Sequence, residues 1–203
     1  MKLTIKSILI FVGLLLINSE VLAEINPNQF IDVRAQAMVK VIRSNQSLYL
    51  SDPDLFKAKI NDIFEPMVDF RRVGASVMGK KFYSAATSQQ RKVFIETFRE
   101  SLLDTYSSTL AQWGDQRIET IFPDSLEFDK TEDVHQNLIT SNNIYPITYK
   151  VRNDGEGNWL IINIIVNGVN LGLTFRNQFQ ALAAENNNNI DSIIKNWTSD
   201  ANL

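Results

Sequence analysis

Apolar and polar positions alternate along the chain with a period that changes partway through. In "NPNQFIDVRAQAMVKVIRSNQSLYL", Phe30, Val33, Ala37 and Val41 recur at helical spacing. "DPDLFKAKINDIF" opens on Asp52, an N-cap residue type, with Pro53 at the first helical position. Pro66 ends that helix and Asp69 caps the next, whose Phe70, Val73 and Val77 share one face. Thr87 and Gln90 then form a capping box ahead of the longest amphipathic stretch. There Phe94, Phe98, Leu102, Tyr106 and Leu110 fall every four residues, and Ile95, Leu103 and Trp113 widen the same stripe.

Beyond Trp113 the period drops to two. "VHQNLIT" alternates, and "IYPITYKV" sets Tyr145, Ile147, Tyr149 and Val151 on one side against Thr148, Lys150 and Arg152 on the other. "NDGEGN" reads as a hairpin turn, "WLIINIIV" as the returning strand, and Asn167-Gly168 as another turn. In that strand Leu160, Ile162, Ile164 and Val166 form an unbroken apolar parity, whereas Asn163 interrupts the other. The unbroken parity is therefore expected to face inward beside Tyr149 and Val151. A helix from about Leu173 to Ala184 and the amphipathic "IDSIIKNW" close the chain. Helices, then strands, then a C-terminal helix predict an α+β class, with the helices on one face of a twisted antiparallel sheet.

The first residues bear on location. "MKLTIK" carries two lysines, "SILIFVGLLLI" is too short to span a bilayer comfortably, and Val21 and Ala23 suit the minus-three and minus-one places of a signal peptidase site. The expected organisation is a signal peptide over residues 1–23 and a single domain over 24–203, exported to the periplasm. No Cys follows the expected cleavage point, which argues against a lipoprotein. The formal net charge of −3 gives no electrostatic case for nucleic acid. With no cysteine in the chain, thiol catalysis and thiolate metal sites are excluded, and stability rests on the core that 44% hydrophobic residues permit.

Catalytic chemistry has little to work with. His135, the single histidine, lies in an alternating segment with no second histidine or metal-ligand spacing around it. No serine sits in a Gly-x-Ser-x-Gly elbow. Asp129 and Glu132 fall in a polar turn, and "DGEG" lacks the Lys and helix of a phosphate loop. Arg71 and Arg72 make a short basic spot, a solvated helix face or a contact for a lipid phosphate. The residues point away from an enzyme, and they suggest no metal or cofactor.

Two separated motifs resemble the MlaC family of periplasmic phospholipid-binding proteins, also called toluene-tolerance auxiliary proteins. The first comprises Asp69-Phe70, Met78-Gly79, Phe82, Phe94, Phe98, Leu102 and Tyr106; the second Trp159, Gly168-Val169 and Phe175-Arg176-Asn177-Gln178-Phe179. Met78, Phe82, Asn163 and Phe175 stand where Leu, Trp, Asp and Tyr are the family's more usual residues. The resemblance spans the chain after residue 23.

It implies helices on a strongly curved sheet, a nuclear-transport-factor-like architecture, enclosing an apolar cavity for the acyl chains of a diacyl phospholipid. It also implies a shuttle between an outer-membrane lipoprotein complex and an inner-membrane ABC transporter with an MCE-domain subunit, maintaining outer-membrane lipid asymmetry. By pattern alone the long aromatic stripe reads as core; under the resemblance it becomes a cavity wall. The wall residues expected are Val73, Val77, Phe98, Leu102 and Tyr106 from helices, with Tyr149, Val151, Ile162, Ile164 and Val166 from strands. A periplasmic chaperone or another binder of hydrophobic ligands would share such a pocket. A hydrolase or isomerase site would need an acid or base inside it.

Overall fold

The computed structural model describes residues 26–124 and 127–199, so the expected signal peptide lies outside the described residues. Helix α1 (Pro27–Ser44) is followed by the short α2 (Leu48–Ser51) and by α3 (Pro53–Phe64). A 3-10 turn over Glu65–Met67 leads into α4 (Phe70–Ala85) and the long α5 (Ser88–Ala111). Strands β1 (Arg117–Ile121), β2 (Thr131–Ile139), β3 (Ile144–Asn153), β4 (Trp159–Val166) and β5 (Val169–Asn170) come next, and α6 (Leu171–Glu185) and α7 (Ile190–Lys195) end the described chain.

The helix ends obey local chemistry. Asp52 Oδ1 accepts the Leu55 amide at 3.0 Å and Asp69 Oδ1 the Arg72 amide at 2.9 Å. Thr87 and Gln90 complete the capping box, each side chain accepting the other's backbone N–H. Gly79 breaks the helical geometry of α4 with φ +71°, a region open to glycine but costly to a side chain. Gln180 Nε2 on α6 donates to the Met78 carbonyl beside this break.

Helix α1 is rotated from the face its spacing suggested. Phe30, Ile31, Ala35, Val39 and Ile42 are buried, while Val33 is 56% exposed. Apolar side chains occupy nearly every side of this helix, so the stripe leaves its angle open, and contact with the sheet decides it.

All five strands are antiparallel neighbours in chain order. Asn167 and Gly168, both at positive φ, make the tight turn between β4 and β5. The register of β3 against β4 slips at one point: Lys150 opposes Asn163 and Val151 opposes Ile161, so Ile162 is left over. This bulge reverses the strand's parity. Trp159 and Ile161 are the buried residues ahead of it; Ile164 and Val166, opposite Tyr149 and Ile147, face inward after it. The expectation for Ile164 and Val166 matches this register, and the one for Leu160 and Ile162 is corrected by it.

The outer edge of β4 is covered in two pieces. Val68 bridges to Ile161 in parallel, with the Asp69 amide donating to the Ile161 carbonyl at 3.0 Å. Strand β5 pairs only with Ile165 and Val166. Between these pieces lies the stretch that holds Asn163.

Candidate functional site: an apolar cavity between three cores

The buried side chains form three clusters. One is aromatic and joins α4, α5, α6 and α7: Phe94, Phe98, Phe179 and Trp197 pack stacked, edge-on or tilted with centroids 5.1–6.0 Å apart. The second lies between the start of α1 and the sheet, around Trp159, Val151 and Ile161. In the third, Ile42, Phe56 and Ile60 pack with the end of α5. Where they meet they leave a cavity of about 280 Å³.

Each cluster contributes a wall. Met38, Ile60, Leu103 and Leu110 come from the third; Phe70, Val73, Phe98, Leu102, Tyr106, Leu171 and Phe175 line the aromatic side. The floor is Ile161, Asn163 and Ile164, with Phe64, Val68 and Gly172 completing the boundary. Asn163 and Ile164 are consecutive, in register opposite Lys150 and Tyr149, yet both border the space: Ile164 from the inward face and Asn163 at the strand edge beside Gly172.

Asn163 is the only lining residue with a side-chain amide, and that amide is engaged. Its Oδ1 accepts the Gly172 N–H at 3.0 Å and its Nδ2 donates to Asn170 Oδ1 at 3.0 Å. Asn170 Oδ1 in turn accepts the Leu173 amide at 3.0 Å, so the first turn of α6 is pinned to the sheet edge. Gly172 has to be small here: a Cβ on it would fall 2.6 Å from Asn163 Oδ1. The cavity wall is therefore hydrocarbon almost throughout, suited to apolar chains and unsuited to a charge.

Of the wall residues expected from sequence, Val73, Phe98, Leu102, Tyr106 and Ile164 come together around the cavity. Val77, fully buried, packs in the aromatic cluster, where α4 closes against its neighbours. Val151 and Tyr149 belong to the sheet cluster under α1, and burial there pushes the Tyr149 phenol up to about 12. Ile162 is the bulged residue, and Val166 sits near the β4–β5 turn beyond the cavity floor. Met38, Ile60 and Leu171 line the cavity without having been expected. Their apolar character was visible, but their convergence depends on how α1, α3 and α6 cross.

No group of three or more His, Asp or Glu among the described residues is placed to hold a metal ion. His135 Nδ1 lies 3.1 Å from Thr148 Oγ1 on an exposed strand position, away from the cavity.

Comparison with known proteins gives concordant results. The chain is 32% identical to the toluene tolerance protein ttg2D of Pseudomonas putida over 176 residues, covering 86% of this chain and 80% of that protein. It is 26% identical to the intermembrane phospholipid transport system binding protein MlaC of Haemophilus influenzae, covering 77% and 74%. The fold matches a phospholipid-binding protein from Ralstonia solanacearum, solved in complex with a phospholipid, with a TM-score of 0.75 at 19% identity over 83% of this chain and 92% of that one. The profile of the MlaC protein family matches residues 33–199, and the chain belongs to that family.

Proposed function

We propose that this protein is a non-catalytic phospholipid carrier of the periplasm, moving lipid between an outer-membrane lipoprotein complex and an inner-membrane ABC transporter with an MCE-domain subunit. The observation that carries this reading is the apolar cavity itself, whose one side-chain amide is consumed by the fold. The names of the Haemophilus relative and the Ralstonia structure, both of which speak of phospholipid, support it.

Energetics suits a carrier. Each methylene removed from water gains about 0.8 kcal/mol, so long acyl chains are held firmly against loss to water. A bilayer offers the same chains an equally apolar surrounding, so exchange with a membrane or a second lipid-binding protein is nearly neutral. Net direction then depends on the partners, and the carrier needs no chemical step.

The test is native mass spectrometry of protein purified from a periplasmic extract. Co-purified diacyl phospholipid is the expected result. Bound peptide in its place would overturn the reading in favour of a chaperone, and a cavity that stays empty after incubation with phospholipid vesicles would overturn it outright.

A further inference from the structure

Along α5 the cavity has a closed end and an open one. The stripe residues of this helix that border it are Phe98, Leu102, Tyr106 and Leu110. Phe98 is 1% exposed, whereas Leu102, Tyr106 and Leu110 are half-buried, as is Met38 on α1. Phe94, one turn before Phe98 on the same stripe, is fully buried in the aromatic cluster and lies outside the lining. The space therefore follows the helix from Leu110 to Phe98, about 18 Å at about 1.5 Å per residue, and stops there.

Three rings make the stop. Phe98 meets Phe175 edge-on at 5.4 Å between centroids and Phe70 at 6.5 Å, and all three border the cavity. Trp197 packs on Phe98 at 5.9 Å, and its indole is tethered. Its Nε1 donates to Ser101 Oγ at 3.1 Å and to Ser199 Oγ at 3.0 Å, and the two hydroxyls lie 2.6 Å apart. Ser101 Oγ in turn donates to the Phe98 carbonyl at 3.0 Å, so the backing is bonded to the helical turn that carries the ring. Ser199 is fully buried. Rings packed in this way leave no free volume behind them for the wall to retreat into.

We propose that Phe70, Phe98 and Phe175, backed by Trp197 and Ser199, set the longest acyl chain that this protein accepts. A chain lying along α5 brings its methyl end against Phe98. Carbons beyond the length that fits stay outside, and each methylene left in water rather than in hydrocarbon lowers loading by a factor of about four. The inference rests on the carrier reading and adds to it a chain-length limit that does not involve the headgroup.

The protein is stripped of lipid and incubated with vesicles of equimolar dimyristoleoyl, dioleoyl and dierucoyl phosphatidylcholine, one headgroup on chains of increasing length. It is then re-isolated and its lipid quantified by mass spectrometry. The dierucoyl lipid is expected about tenfold or more below the dimyristoleoyl lipid. Phe98→Leu shortens the stop and raises the dierucoyl share about fourfold, one methylene's worth. Ser199→Ala leaves the Trp197 N–H on Ser101 and every other group partnered; by loosening the backing it raises that share about twofold, part of one neutral hydrogen bond. Val77→Ala, in the same cluster but off the cavity, weakens packing and keeps the parent ratio. Equal loading of the three lengths by the parent overturns the length limit and leaves the carrier reading standing. So does an unchanged ratio in both Phe98→Leu and Ser199→Ala, or a Val77→Ala shift as large as that of Phe98→Leu, which would mean that any softening of the cluster suffices. Failure of the parent to load any of the three lipids overturns the carrier reading, and this proposal with it.

Discussion

Asn163 Oδ1 accepts the backbone N–H of Gly172 at 3.0 Å, joining the floor of the cavity to the first turn of α6. The contact depends on two residue choices at once, an amide in an otherwise apolar strand and a glycine at the start of a helix. Gly172→Ala would bring a methyl carbon to 2.6 Å from that oxygen, so the amide has to swing away and the N–H loses its acceptor. A loss of about 1–2 kcal/mol is expected in denaturant unfolding. Because the damage runs through Asn163, Gly172→Ala added to Asn163→Ala is expected to cost little more than Asn163→Ala alone. Additive losses would show that the two positions act separately.

Leu102 and Val77 separate wall from core. Leu102 lines the cavity, and Val77 is fully buried among packed side chains. Leu102→Asn has room to relax and is expected to cost under about 1 kcal/mol of stability in lipid-free protein, whereas Val77→Asn buries an unpaired amide and costs about 3 kcal/mol or more. Bound phospholipid falls most per unit of lost stability in the Leu102 variant. Ile164→Asp, which sets a carboxylate on the floor, abolishes loading. Thermal melts beside lipid extraction from the same samples read both quantities; full lipid content in a strongly destabilised Leu102→Asn protein would remove this helix from the wall.

Tyr149 supplies a pH dependence of known sign. Burial holds its phenol neutral to about pH 12 in the folded chain, against about 10 when exposed. Between those values the unfolded chain has released the proton and the folded one has not, so stability falls as pH rises through this window and is fully present below it. The two-unit gap corresponds to roughly 2–3 kcal/mol. The difference in unfolding free energy between the parent and Tyr149→Phe is therefore expected to change over pH 10–12 and stay flat from pH 7 to 9. A flat difference throughout would mean that the phenol is solvated.

Gly79→Ala places a side chain at φ +71° with the Arg176 guanidinium 3.3 Å from the new carbon. A cost of about 1 kcal/mol or more is expected, with a lowered melting temperature, because the break in α4 is kept by tertiary contact. A variant as stable as the parent would show that the break can straighten without loss.

The caps and turns were legible because they are local. Asp52, Asp69, the Thr87–Gln90 box and Asn167-Gly168 are set by chemistry within a few residues, and each occupies its expected role. The rotation of α1 was not, since apolar residues at Ile31, Val33, Ala35 and Val39 leave several faces equally credible. Strand β1 was missed because "RIETI" offers only five alternating residues, and it is held as a strand by pairing with β2. The bulge at Ile162 is a property of two strands together. For the cavity the limit is deeper: Val77 and Val73 are the same residue type one helical turn apart, and only the gap between clusters makes one of them a wall.

That gap has a consequence for the protein when it holds no lipid. On the carrier reading proposed above the protein spends part of each cycle without cargo, and a hollow lined by one continuous core would tend to collapse inward when vacated. Here each wall belongs to a cluster that is packed on its own account, by aromatic contacts on one side, by Trp159 and the sheet on another, and by Ile42, Phe56 and Ile60 on the third. The vacant space works like the span of an arch, kept by what stands around it. Lipid-free protein is therefore expected to remain folded and able to load again.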